Sequence, residues 1–148
     1  MYANQTIPEI TLKYKKGTIQ TVKITSSSQT ADILRQMYDA DTLEYCESFI
    51  IILLNRANKT LGWIKISQGG LTGTVADPRM IFAAALKAGA TAVILSHNHP
   101  SGNLTPSRAD EEMTKKIKAG GLLLDINVLD HIIVTDEGFY SFADEGIL

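Results

Sequence analysis

Hydrophobic positions along the chain change period several times, and each change marks an element. Ile10, Leu12 and Tyr14 alternate with polar residues, Lys15-Lys16-Gly17 supplies a turn, and residues 19–24 alternate again, which is a hairpin pattern. A polar run, Ser26-Ser27-Ser28-Gln29-Thr30, then precedes a helix expected over residues 31–38, capped by Thr30, with Ile33, Leu34 and Met37 on one side. Residues 48–54 are almost unbroken Ile, Leu and Phe, the composition of a strand buried on both faces. Residues 55–59 form a turn, residues 61–66 return as the hairpin partner, and Gly69, Gly70 and Gly73 mark a loop. Asp77 and Pro78 suit the cap and first position of a helix that runs to about Ala88 and stops at Gly89. A short buried strand is expected over residues 92–95, then a second helix from Thr105-Pro106 to Gly120-Gly121. Residues 122–128 and 132–135 read as late strands, and Asp136-Glu137-Gly138 as a turn. Strands alternating with helices predict an α/β sandwich with a mixed sheet. Residues 1–43 read as a hairpin–helix extension packed on the same domain as residues 44–148.

Length and charge narrow the function classes. A chain of 148 residues suits one domain and can bury a core without disulfides. Its net charge of −2 weighs against a stand-alone nucleic-acid binder, which is usually basic. Cys46 has no second thiol to pair with, consistent with a reducing cytosol, and reads as a packed or idle thiol. Residues 1–5 carry no signal-peptide pattern, and the longest apolar run, residues 49–54, is too short to span a bilayer. A cytoplasmic protein without membrane contact is expected.

The chemistry concentrates where the strand at 92–95 runs into Ser96-His97-Asn98-His99-Pro100. Residues i and i+2 of extended chain point the same way, so His97 and His99 project together and can reach one ion at about 2.0–2.1 Å. Ser107 falls in the first turn of the next helix, with Asp110 three residues on along the same face. If that face looks back at the strand end, Asp110 is a third ligand, and the fourth tetrahedral position stays open for water. Each piece also has a plainer reading. An H-x-H pair is often a loop or core feature, and an acidic residue early in a helix favours the helix dipole. Spacing by itself leaves both readings open.

The string His97-x-His99, seven residues, Ser107, two residues, Asp110 matches the JAMM (MPN+) motif of zinc metallopeptidases. The longer run His97 to Gly102, with Pro106-Ser107 and Asp110, resembles the bacterial RadC-like branch, as do Pro78-Arg79 and Asp130-His131-Ile132-Ile133. The resemblance covers about residues 44 to 142. It implies a three-layer, cytidine-deaminase-like (JAMM/MPN) fold, with one zinc ion per chain held by His97, His99 and Asp110. It also implies an upstream glutamate as general acid/base. Glu47, before Ser48-Phe49-Ile50-Ile51, matches that position, and Glu44 is the runner-up. Ser107 matches the serine that hydrogen-bonds the activated water or the developing oxyanion; a plainer role is to satisfy free amides at the helix start. Asn98 stands where peptidases of the wider family carry Ser or Thr, and is usual for the RadC-like branch. His131, after Asp130, reads as an Asp-paired structural or supporting histidine outside the site.

Absent motifs remove several rivals. Zinc deaminases need H-x-E and P-C-x-x-C, and zincin proteases need H-E-x-x-H; neither pattern occurs. The function implied is metal-dependent hydrolysis of a peptide or isopeptide bond in a protein substrate. The alternative is a DNA-repair or mobile-element binding module whose zinc site is structural or vestigial. Residues 1–43 do not resemble the helix–hairpin–helix segment of longer RadC-like proteins, so tight DNA binding is not expected. The sequence leaves a homo-oligomer open.

Overall fold

The computed structural model describes residues 7–17, 20–69 and 75–148. The sequence features at residues 1–5, at residue 19 and in the glycine loop at 70–73 lie outside them. Among the described residues, three helices and five strands follow in the order α1 (Ser27–Met37), β1 (Ser48–Leu54), β2 (Thr60–Gln68), α2 (Pro78–Ala88), β3 (Ala92–Asn98), α3 (Arg108–Leu123), β4 (Asn127–Val134) and β5 (Phe139–Ser141). The sheet order is β2-β1-β3-β4-β5. Only β3 and β4 run parallel, joined by α3 as the crossover. This is the mixed α/β architecture expected.

Two cores form because strand side chains alternate between faces. Phe49, Ile51 and Leu53 of β1 and Val93 and Leu95 of β3 pack with Ile81, Phe82 and Ala85 of α2 and Ile117 of α3. On the other face Ile50, Ile52, Leu54, Ile94, Ile132 and Val134 pack with Ala31, Leu34 and Tyr38. The segment carrying α1 therefore supplies one complete layer of the sandwich. His97 and His99 share the parity of Val93 and Leu95, so they belong to the face covered by α2 and α3. Asn98 belongs to the other.

Several local expectations need correction. No hairpin forms between residues 10–14 and the described part of 20–24. Ile10 and Leu12 are exposed, while Lys23 bridges Lys59, Thr60 N–H donates to the Val22 carbonyl and Ile24 N–H to that of Asn58. The partner of the second alternating run is thus the start of β2. Helix α1 begins four residues before the expected start, because Ser26 caps it by accepting from Gln29 N–H; Thr30 lies inside and its hydroxyl donates back to the Ser26 carbonyl. Helix α3 is capped by Ser107 and starts at Arg108, so Thr105 and Pro106 precede it and Ser107 is the cap, one position before the first turn. Gly120 and Gly121 do not stop it. A Cβ at Gly121 would overlap the Ile126 carbonyl oxygen, so that glycine permits close approach of the returning chain. Residues 122 and 123 are helical, and the two late strands are one strand, Asn127–Val134. A fifth short strand, β5, follows the turn at 136–138. Asp77 and Gly89 bound α2 as expected: the Asp77 carboxylate accepts from Arg79 N–H, and Gly89 ends the helix at φ 67°.

Candidate metal centre

Strand β3 is longer than its apolar run suggests and carries His97 and Asn98 within the sheet, pairing His97 with Phe49 of β1 and Ile133 of β4. His97 is 1% exposed. His99 follows the strand but remains attached, its N–H donating to the Val134 carbonyl. The chain then turns, with Gly102 at φ 83° and its N–H donating to the His99 carbonyl. That turn brings the Asn103 carbonyl to 2.5 Å from His99 Nδ1. A carbonyl can only accept, so Nδ1 carries the proton and the Nε2 lone pair points inward.

Helix α3 brings Asp110 to the same point. Ser107 and Asp110 form a capping box: Ser107 Oγ accepts from Asp110 N–H at 3.1 Å, and Asp110 Oδ2 accepts from Ser107 N–H at 2.8 Å. The same Oδ2 stands 3.4 Å from His97 Nε2 and 3.3 Å from His99 Nε2. The two Nε2 atoms are 2.9 Å apart. Ligands around an ion bound at about 2.1 Å in a tetrahedron lie about 3.4 Å apart, so this triangle is close to one tetrahedral face. Glu47 completes the group, its Oε1 3.8 Å from His97 Nε2. One ligand atom from each of Glu47, His97, His99 and Asp110 lies within 4.8 Å of the others, and the four could hold a metal ion. The donor set fits zinc: two imidazole nitrogens and carboxylate oxygens, with the His99 lone pair facing a second ring nitrogen across a gap that needs a proton or a cation.

Electrostatics follow from crowding charge in a half-dry corner. Burial opposes ionisation of Asp110, yet the adjacent imidazoles of His97 and His99 outweigh it and hold its carboxyl well below the usual carboxylate range. Burial lowers His99, but Asp110 and the Asn103 carbonyl more than compensate and raise it. Glu47 is raised, first by burial and then by Asp110, with His97 and His99 opposing.

The sequence-derived set of Glu47, His97, His99 and Asp110 is thus brought together, with Ser107 at its edge. Glu44 is exposed and lines a separate cleft with Ser101 and Glu137. The chain belongs to the RadC-like JAB domain family. Residues 24–147 match that family. A UPF0758 protein of Flavobacterium johnsoniae is 46% identical over 125 residues, covering 84% of this chain and 53% of the relative. One from Staphylococcus haemolyticus is 40% identical over 133 residues, covering 90% and 57%. One from Syntrophotalea carbinolica is 45% identical over 102 residues, covering 69% and 45%. The chain spans about half the length of these relatives. Among the described residues no helix is long and apolar enough to cross a membrane.

Behind this RadC-like motif stand residues outside the ligand set expected from the sequence. His131, fully buried on β4, places Nε2 2.7 Å from His97 Nδ1. Its Nδ1 lies 2.6 Å from Thr114 Oγ1. The expected pairing of its ring with Asp130 is not formed. Asp130 instead accepts from the backbone N–H groups of His131 and Ala143 and from the Ser141 hydroxyl. The Phe49 ring stacks on His97 at 6.2 Å and meets His131 edge-on at 5.6 Å, while Phe142 stacks on His131 at 4.6 Å. Thr114 had one legible signal, its position one helical turn after Asp110. His131 was read as a supporting histidine beside Asp130, but its contact with His97 depends on how β4 pairs with β3.

Proposed function

We propose that this domain is a zinc-dependent hydrolase of peptide or isopeptide bonds. The observation that carries the reading is the convergence of Glu47, His97, His99 and Asp110, with ligand atoms within 4.8 Å of one another. His97, His99 and Asp110 would hold one zinc ion, which supplies Lewis acidity and brings the pKa of an activated water toward about 7. Glu47, half-buried and raised above the ordinary glutamate range, accepts the proton of that water as it attacks the carbonyl carbon. It then returns the proton to the departing amine. Ser107 Oγ already accepts from Asp110 N–H, which leaves its O–H to donate to the oxygen that gains charge. The substrate is a protein or peptide with an accessible amide or isopeptide bond.

Metal analysis of the purified protein tests the first half, with a His97→Ala/His99→Ala double variant alongside. One zinc per chain in the parent and none in the variant is expected; equal zinc in both defeats the assignment. A panel of peptides and isopeptide-linked conjugates tests the second half, with chelator-sensitive cleavage expected. Stoichiometric zinc with no cleavage across the panel favours a binding module whose metal is structural.

A further inference from the structure

The two sides of the metal centre are joined from behind by a closed hydrogen-bond chain. Thr114 Oγ1 lies 2.7 Å from the carbonyl oxygen of Asp110, one turn back along α3, and 2.6 Å from His131 Nδ1. A threonine hydroxyl has a single hydrogen, and a carbonyl can only accept. If that hydrogen went to His131, two oxygen atoms would face each other at 2.7 Å with no proton between them. The hydroxyl therefore donates to Asp110, and His131 donates Nδ1–H to Thr114. A neutral imidazole carries one ring proton, so His131 Nε2 is an acceptor. It takes the proton of His97 Nδ1–H across 2.7 Å. His97 Nε2 is then left bare, facing His99 and Asp110.

We propose that Thr114 and His131 are positioning residues that fix His97 in the Nδ1–H form, so that an unprotonated Nε2 is presented to the metal. The proposal rests on the metal reading above. Its direction is set at one end, the Asp110 carbonyl, and transmitted without a break through groups that water does not reach: Thr114 is 2% exposed, His131 0% and His97 1%. The rings of Phe49 and Phe142 enclose His131 and give its nitrogens no competing acceptor. The Asn103 carbonyl does for His99 directly what Thr114 and His131 do for His97 in two steps. Because Asp110 is both the expected anionic ligand and the anchor of this chain, α3 sets two ligands at once.

Two measurements test it. In zinc-loaded protein, two-bond 1H–15N correlation spectra of the imidazoles report which ring nitrogen is protonated. His131 and His97 should both carry the proton on Nδ1; a His131 protonated on Nε2 overturns the proposal without any substitution. Zinc affinity by chelator competition is the second. Thr114→Val should weaken it by about 10–100-fold, the range found when an outer partner of a metal-binding histidine is lost, and Thr114→Ser should restore the parent value. Zinc lost in Asp110→Asn but unchanged in Thr114→Val overturns the relay alone. Zinc bound equally by the parent and Asp110→Asn overturns the metal reading and the relay together.

Discussion

Asn98 holds Glu47 in place without touching it. Its Nδ2 donates to the carbonyls of Leu43, at 2.7 Å, and Cys46, at 2.8 Å, while its Oδ1 accepts from Ser48 N–H at 2.7 Å. The last two bonds bracket Glu47 on both sides. Asn98 lies between His97 and His99 but points to the opposite face of β3, so one strand segment aims two metal-facing imidazoles forward and clamps the glutamate's backbone behind. Serine or threonine, with one donor, cannot make all three bonds. The asparagine in this motif has a structural reason in how Glu47 is held.

Asn98→Asp should therefore act on turnover. It replaces two N–H donors by a carboxylate oxygen facing two carbonyls. Displacement of Glu47 by an ångström should cost kcat on the order of 10²-fold. Zinc affinity should stay close to the parent, because the hydrogen bonds of His97 and His99 are untouched. Parallel zinc titration and kinetics check this; an equal fall in both would place the effect of Asn98 on the histidines instead.

Glu47→Gln removes the proposed proton acceptor while keeping size and most hydrogen bonding. Zinc retention with turnover lost by roughly 10²–10⁴-fold is the expected outcome. Glu44→Gln should leave turnover near the parent value, since Glu44 is exposed and outside the cluster. A dead Glu44→Gln beside an active Glu47→Gln would move the base three residues upstream.

In metal-free protein, the contribution of His131 to stability should fall on mild acidification. Burial, and after it the neighbouring His97, hold this imidazole well below its ordinary pKa, which is about 6.5 in an unfolded chain. Below that pH the unfolded chain binds a proton that the folded one refuses. The contribution is therefore complete above about pH 6.5 and declines as pH falls, by up to ~1.4 kcal/mol per unit. His99, shifted upward, works in the opposite sense, its contribution being present below about pH 6.5 and lost as pH rises, so the His131→Gln comparison, which leaves His99 in place, isolates His131. Urea unfolding of chelator-treated protein at about pH 7 and about pH 5.5 measures the loss, and His131→Gln should flatten it. A parent profile no steeper than that of the variant would mean His131 is not held neutral.

Gly121→Ala should destabilise the fold by about 1–3 kcal/mol, because its Cβ would meet backbone rather than a movable side chain. Gly62→Ala is the control: its Cβ meets no atom within 4 Å, and its effect should be within about 0.5 kcal/mol. Chemical denaturation of both variants decides the matter. Equal stabilities would show that the Ile126 carbonyl can shift freely.

What the chain order alone settled was local. Residues 49–54 are apolar at every position and, with Ser48, became a strand buried along its whole length. Asp77, Pro78 and Gly89 bound α2 because caps act on amides and carbonyls one turn away. The i, i+2 spacing sends His97 and His99 to one face, and Asp110 sits three residues past the helix cap. The residues behind the site were settled only by tertiary pairing. Asn98 reaches partners 50 to 55 positions away in sequence, and His97 meets His131 across 34. Those contacts exist because β3 lies antiparallel to β1 and parallel to β4. Likewise, the alternating run at 19–24 could announce a strand-like segment but not its partner. Periodicity records which face a residue takes; which chain covers that face depends on the packing of the whole sheet.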